Sequence, residues 1–397
     1  MISIKNKQDC CGCGSCAAIC PKNCISMKED NEGFLYPLVN ESNCINCNQC
    51  VKACPIINAN EEIINKKQKA VIASSKNKSI LMESTSGGFF SHIALFVLKH
   101  GGVVYGAAFD KSFRVVHICV EKIEELYRLR NSKYVQSDLS GAFRDIKSKL
   151  KKGLIVCFSG TPCQIEALLC FLGNKPDNLI LVDVVCRAVP SPGIWKKYLN
   201  YMSKEHGEIS SIRFRDKKYG YQYSTMLIQF SNGNEIRNSI ESDIWLRMFF
   251  SGMIIRPSCA NCKFRKRYRN SDFTIWDCFA VSDYTKKINE NKGATAVLIH
   301  SMKGIFLLER IKKELTLYSV SADRIVNRMK ELSISPSMNP KRSRFYSELY
   351  ENNNIGKIID DFFPITIGIR IKRTFRWLLY VLGLDTTVKR IKRKLKG

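Results

Sequence analysis

Ten of the chain's 18 cysteines lie within its first 54 residues. Cys10, Cys13, Cys16 and Cys20 make C-x2-C-x2-C-x3-C, closed by Pro21; Cys44, Cys47, Cys50 and Cys54 repeat it, closed by Pro55. Three thiolates at these spacings wrap a tight loop around one face of a cubane. The fourth, set off on a short helical turn, points to the other cluster. The pattern assigns Cys10, Cys13, Cys16 and Cys54 to one 4Fe–4S cluster, and Cys44, Cys47, Cys50 and Cys20 to a second. Small residues in the first loop (Gly12, Gly14, Ser15, Ala17, Ala18) let the backbone approach the sulfurs. Zinc needs only two CxxC knuckles and has no use for the third cysteine or the Cys-Pro ending. Cys11 and Cys24 fall outside the pattern and read as small apolar residues.

More thiols lie further on. A buried strand, Leu154–Phe158, ends at Ser159-Gly160-Thr161-Pro162, and a helix begins near Cys163. A second apolar strand, Leu179–Val185, ends at Cys186. Ligands of α/β sheets gather outside the carboxyl ends of strands, so the two cysteines meet if their strands are neighbours. Cys259 and Cys262 form a lone CxxC, which by itself fits zinc, a redox dithiol or a cluster. With Cys163 and Cys186 it makes four thiols, and the expectation is a third 4Fe–4S cluster; the alternative is two buried small residues and an isolated CxxC. Cys119, Cys157 and Cys170 sit in apolar contexts and read as core. Cys278 is a substitute ligand candidate. The run Cys262–Asn270 holds five basic residues among aromatics, suiting nucleic acid, an anionic cofactor, an acidic carrier or a solvated loop. The five histidines show no metal-binding spacing.

The elements that must position these residues follow from periodicity. After Pro55 a polar stretch reads as a linker, and Val71–Ser75 as a short strand. Phe89, Phe90, Ile93, Ala94, Phe96 and Val97 recur at helical spacing until Gly101-Gly102. Val103–Phe109 is an apolar strand. Ser86-Gly87-Gly88 then stands at a helix N-terminus, suited to an anion or to simple capping. Leu129–Leu139 is polar and carries Lys133 and Tyr134, placed for hydride or proton chemistry or for a loop.

The length allows two or three domains. A net charge of +27 attracts polyanions without choosing among them. No run of eighteen apolar residues occurs, and the N-terminus lacks the apolar stretch of a secretory signal. These features point to the cytoplasm, where a disulfide framework is not expected. From Arg370 to Lys396 there are ten Lys/Arg and one acid. Basic residues there alternate with Trp377, Leu378, Leu379, Tyr380, Val381 and Leu382. This suits an amphipathic helix on the inner face of an anionic membrane, or one packed on the body.

Two resemblances follow from the strings themselves. Residues 1–58 resemble a bacterial dicluster ferredoxin domain. The strings STSGGF, NSKYVQS, FSGTPCQIEAL, CRAVPSPGIWKKYL, FRDKKYGY and RPSCANCKF…SDFTIWD together resemble the coenzyme F420 hydrogenase/dehydrogenase beta-subunit family, over about residues 70–310. The resemblance implies an α/β flavoprotein core that passes electrons between 4Fe–4S clusters and a two-electron carrier, often F420, through FAD. It places cofactor contacts at Ser86, Gly87, Gly88, Ser132, Gln136, Ser137, Thr161, Pro162 and Gln164. It makes Lys133 and Tyr134 candidates to steady a reduced flavin or bound carrier, and puts the further cluster on Cys163, Cys186, Cys259 and Cys262. Two departures stand out. The family's CHG is Cys186-Arg187-Ala188 here, and its GDFWG-like string is Trp276-Asp277-Cys278-Phe279-Ala280. Bacterial relatives often belong to polysaccharide-biosynthesis loci, which this divergence fits.

The expected fold is α+β/α/β. A pseudo-twofold ferredoxin domain (1–58) and a linker (59–70) precede beta-subunit N-terminal (71–150) and C-terminal (151–320) regions. A basic helical extension (321–397) follows. The expected function is iron–sulfur oxidoreduction with a redox partner or small carrier. Alternatives are an electron relay without a substrate of its own and an assembly or regulatory role.

Overall fold

The computed structural model describes residues 1–59, 68–139, 141–223, 225–352, 355–384, 387–388 and 391. Most of the expected linker, and most of the tail beyond Leu384, lie outside the described residues.

The N-terminal domain is a hairpin, β1 (Ile25–Glu29) antiparallel to β2 (Leu35–Val39), with short helices Ser15–Ile19 and Gln49–Lys52. Its two cysteine loops repeat one backbone shape. Gly12 and Gly14 have φ of 68° and 70°, and the corresponding Asn46 and Asn48 have 52° and 55°. Only glycine and, less readily, asparagine take this left-handed conformation at low cost. That explains why these residue types alternate with the cysteines, and it gives the domain its internal pseudo-symmetry.

The body is built on one eight-stranded sheet. In chain order its strands are β3 (Lys69–Ser75), β4 (Val103–Phe109), β5 (Val115–Val120), β6 (Val156–Gly160) and β7 (Leu179–Val184). A separate antiparallel sheet follows, of β8 (Ile209–Asp216), β9 (Thr225–Phe230) and β10 (Glu235–Ser239). Then β11 (Phe273–Asp277), β12 (Thr295–Ile299) and β13 (Leu315–Val320) return to the large sheet, whose order is β13-β3-β12-β11-β7-β6-β4-β5. Its centre, β4-β6-β7-β11, is parallel, and both flanks are antiparallel. Strands from residues 71–150 and 151–320 interleave, so the two expected regions share one layer.

The parallel centre is buried on both faces, as its near-continuous apolar strands require. Val156, Phe158, Leu179 and Leu181 face helices Ala142–Lys151 and Pro162–Leu172. Cys157, Ile180 and Val182 face helices Phe89–Lys99 and Met302–Ile311. Cys157 is core, as expected, whereas Cys119 on edge strand β5 and Cys170 on a surface helix are half-buried. Cys278 is buried in a different apolar cluster, with Ile72 and Val281.

The N-terminal domain is clamped to this body. Arg144 donates to the carbonyls of Ala17, Ala18 and Cys20 and to Asn23. Ser15 Oγ donates to Ala167 O at 3.3 Å and Ser191 Oγ to Glu32 O at 2.6 Å. Arg342 pairs with Glu32. Gly33 and Gly193 meet backbone to backbone, and a Cβ on Gly33 would stand 2.6 Å from Gly193 Cα. Only residues without a Cβ allow this seam.

Candidate metal centres

Three groups of cysteines lie in succession, from the surface of the N-terminal domain into its seam with the body. The outer group is Cys20, Cys44, Cys47 and Cys50, which line one cavity of about 350 Å³. Cys47 is exposed and Cys50 buried. Cys24 lines the same cavity, its Sγ 3.3 Å from that of Cys20. The inner group is Cys10, Cys13, Cys16 and Cys54. Burial, with a smaller push from nearby Cys54, raises the pKa of Cys10, and burial pushes that of Cys16 up to about 12.

The third group sits at the carboxyl ends of β6 and β7, which are parallel neighbours. Cys163 follows β6 in the first turn of helix Pro162–Leu172, and Cys186 lies two residues past β7. Cys259 closes a 3-10 turn, and Cys262 N donates to Ser335 Oγ at 3.1 Å. All four, with Cys11, line one cavity of about 530 Å³. Burial raises the pKa of Cys186, and pushes Cys259 up to about 12. Hydrogen bonding with Cys11, then burial, raises that of Cys163. Such thiols become thiolates at neutral pH only when a metal supplies the opposing charge.

Arg187, Arg256, Lys263, Arg265 and Arg269 also line this cavity, with no Asp or Glu among its described lining residues. Five soft donors ringed by cations suit an anionic thiolate-bound cluster. Among the described residues no three His, Cys, Asp or Glu side chains converge on a single metal-ion point. A cube differs from a lone ion in needing thiolates around an open space, and the outer and third groups line such spaces.

Much of the basic run Cys262–Asn270 is engaged within the chain. Arg265 donates to the carbonyls of Arg187 and Glu331. Lys263 reaches Ile56 O at 3.2 Å, and Arg269 pairs with buried Asp183 at 2.8 Å. Cys278 lies elsewhere in the core and does not line the third cavity.

Residues 154–324 match the carboxy-terminal model of the family described as "Coenzyme F420 hydrogenase/dehydrogenase, beta subunit", and residues 9–57 match "4Fe-4S dicluster domain". The chain thus joins a segment similar to a 4Fe-4S dicluster domain to one similar to the carboxy-terminal part of a coenzyme F420 hydrogenase/dehydrogenase beta subunit. Both the outer and inner thiol groups belong to the dicluster domain, and the third belongs to the beta-subunit region. No curated protein matches the chain. Among solved structures it is similar to a chain of the F420-reducing [NiFe] hydrogenase complex from Methanosarcina barkeri, at 15% identity and a TM-score of 0.43. That match covers 77% of this chain and 97% of that one.

The positions expected to touch a flavin have their polar atoms engaged within the chain. Ser86 Oγ meets Thr295 Oγ1 at 2.9 Å, and Gly87 N donates to the same oxygen. Gly88 is the left-handed cap of helix Phe89–Lys99. Ser132 is bonded to Thr85 through both its N and its Oγ. Thr161 and Gln164 form a reciprocal capping box, with Pro162 at the first helical position. Gln164 also donates to Ser137 Oγ at 2.9 Å. Gln136 donates to Cys11 O at 2.9 Å and accepts from Arg256 at 3.0 Å. These bonds are all made within the chain; Pro162 and Cys163 line the third cavity, and Gln136 braces Cys11 and Arg256 beside it.

Lys133 donates to the carbonyls of Arg128 and Arg130, and burial pushes its pKa down to about 7. Tyr134 OH accepts from Arg215 at 3.2 Å, and Arg215 pairs with Asp277 at 2.7 Å. Tyr221 OH donates to the other Asp277 oxygen at 3.0 Å. Tyr134 is therefore tied to a buried ionic network and Lys133 to backbone carbonyls, and neither lines the thiol-lined cavities. Sequence reading passes over Arg256, Arg269 and Asp183. The available signal is their position: Arg256 stands three residues before the CxxC, and Asp183 at the end of β7.

Proposed function

We propose that the protein is an electron-transfer subunit with three 4Fe–4S centres, relaying electrons for a redox partner. Cys20, Cys44, Cys47 and Cys50 would hold the outer cluster, and Cys10, Cys13, Cys16 and Cys54 the inner one. Cys163, Cys186, Cys259 and Cys262 would hold the third. Such clusters carry single electrons without bond making. The observation that carries the reading is the contiguity of the thiol groups. Cys11, next in sequence to inner ligand Cys10, lines the third cavity beside Cys163. The outer group opens to solvent at Cys47 beside exposed Ile45, and a partner docks there.

A relay is favoured over a flavoenzyme because the residues carried over as flavin contacts have their hydrogen bonds filled by the chain itself. Anaerobically purified protein tests this choice. The relay predicts a brown protein that dithionite bleaches, with no flavin released on acid precipitation. One flavin per chain sinks the relay and restores the flavin-dependent reading.

The C-terminal helix favours one location. Helix Ile367–Val381 packs on the body through Arg376 against Glu241 and through Tyr380 stacked on Tyr223. Its opposite face carries Ile367, Ile371, Phe375 and Leu378 at helical spacing, all exposed. Arg370, Lys372 and Arg373 flank them, and the helix holds no acidic residue. Apolar side chains beside unopposed cations suit the surface of an anionic bilayer. The protein should sediment with phosphatidylglycerol vesicles and not with phosphatidylcholine vesicles, and Phe375→Glu should abolish the binding. Equal binding to both vesicles, or none, excludes this role.

A further inference from the structure

Arg256 has no exposed surface, yet among the described residues its guanidinium forms no ion pair with a carboxylate. Its nitrogens donate to Cys10 O at 2.7 Å, Leu35 O at 2.9 Å, Gln136 Oε1 at 3.0 Å and Cys10 Sγ at 3.6 Å. Its charge lies 4.4 Å from the Tyr36 ring centroid and 5.3 Å from that of Phe34. A Cβ on Gly12 would stand 2.4 Å from its Nη1, so the first cysteine loop is moulded around it.

A buried cation without an anion is costly. Neutral carbonyls and ring faces soften that cost without cancelling the charge. The anionic groups in reach are sulfurs: Cys10 directly, and Cys163 and Cys259, whose ionised forms Arg256 also favours. The outer group has a different setting, with the exposed Lys22 beside it.

We propose that Arg256 is the fixed counter-charge of the cluster bound by Cys10, Cys13, Cys16 and Cys54, raising that cluster's midpoint potential. Each electron that arrives adds a negative charge, and a buried cation that also donates to a ligand sulfur favours the reduced form. Arginine keeps its proton throughout, so this centre takes up an electron without a proton. This rests on the cluster assignment above. Failure of that assignment would appear as missing iron, and failure of the present proposal as an unmoved midpoint with the iron in place.

The test is an anaerobic redox titration, with dithionite and mediators, read by electron paramagnetic resonance. It uses the full chain carrying Cys259→Ser and Cys262→Ser, so that only the dicluster signals remain. Adding Arg256→Met should keep about eight irons per chain and lower one midpoint by at least a tenfold change in equilibrium constant, about 59 mV. The other midpoint should stay in place, and Arg256→Lys should recover most of the shift. Unmoved midpoints, or both moving equally, overturn the proposal. Should the Met variant lose its iron, two measurements remain. The inner midpoint of the Arg256 protein should not vary between about pH 6 and 9, and the Lys variant should stay close to it. A midpoint that falls with pH, or one tenfold lower in the Lys variant, overturns the assignment.

Discussion

Replacing Cys259 and Cys262 together by serine lowers the iron content from about twelve to about eight atoms per chain, while the dicluster signals persist. Both residues line the cavity that Cys163 and Cys186 enter from the ends of β6 and β7. Serine keeps the volume and removes two of four soft donors, and iron–sulfur sites depend on thiolates. The dicluster loops draw no ligand from this segment, so their eight thiols are untouched. Colorimetric iron and sulfide on anaerobically purified variant and parent measure the effect. Equal iron in both proteins would mean that the CxxC holds no cluster.

Arg269→Ala should cost about 3–5 kcal/mol of folding stability, the largest stability effect expected of one side chain in the frame of the third cavity. Arg269 and Asp183 are nearly inaccessible and pair at 2.8 Å, and Ser271 Oγ donates to the other Asp183 oxygen at 2.8 Å. Burial already raises the Asp183 carboxyl above its usual range, and Arg269 is the chief opposing influence. Removing the arginine leaves a buried, uncompensated carboxylate. The sign of the pH dependence follows. A carboxyl whose folded pKa is raised binds its proton more readily in the native state, so its penalty applies at high pH. The penalty fades as pH falls toward the ordinary carboxylate value of about 4. Urea midpoints of variant and parent across pH check this, and Asp183→Asn in the same chain should recover much of the loss. A loss below about 1 kcal/mol, or one constant with pH, would show that the pair is not compensating a buried charge.

Much of the candidate site was legible because cysteine spacing is a strong constraint. The two C-x2-C-x2-C-x3-C-P runs required loops whose left-handed positions fall to glycine and asparagine, and the backbone has them at Gly12, Gly14, Asn46 and Asn48. Strand β4 runs from Val103 to Phe109 as its apolar pattern predicts. The placement of Cys163 and Cys186 on neighbouring strand ends follows from two buried strands linked by one helix. The beta-subunit and dicluster resemblances are matched over residues 154–324 and 9–57.

What periodicity could not convey was the seam. Arg256, Gln136, Arg144 and Arg342 look like ordinary polar residues in the sequence. Their roles depend on partners more than 120 residues away, such as Cys10, Cys11, Cys20 and Glu32. The basic run Cys262–Asn270 resembled a polyanion site because a string of arginines does not reveal that buried carbonyls and Asp183 await it. Cys11 and Cys24 looked spare because ligand spacing ignores them, whereas both stand beside ligand candidates in the folded chain. Strand β3 enters the sheet between β12 and β13, which come more than 200 residues later, a topology that no local pattern encodes.

The central claim is that three thiol groups hold three clusters in one chain. Iron and acid-labile sulfide per chain, determined on the anaerobically purified full-length protein, test it most directly. Three clusters require about twelve of each. About eight of each, in a protein whose Cys259 and Cys262 remain free to react with a thiol reagent, would contradict it.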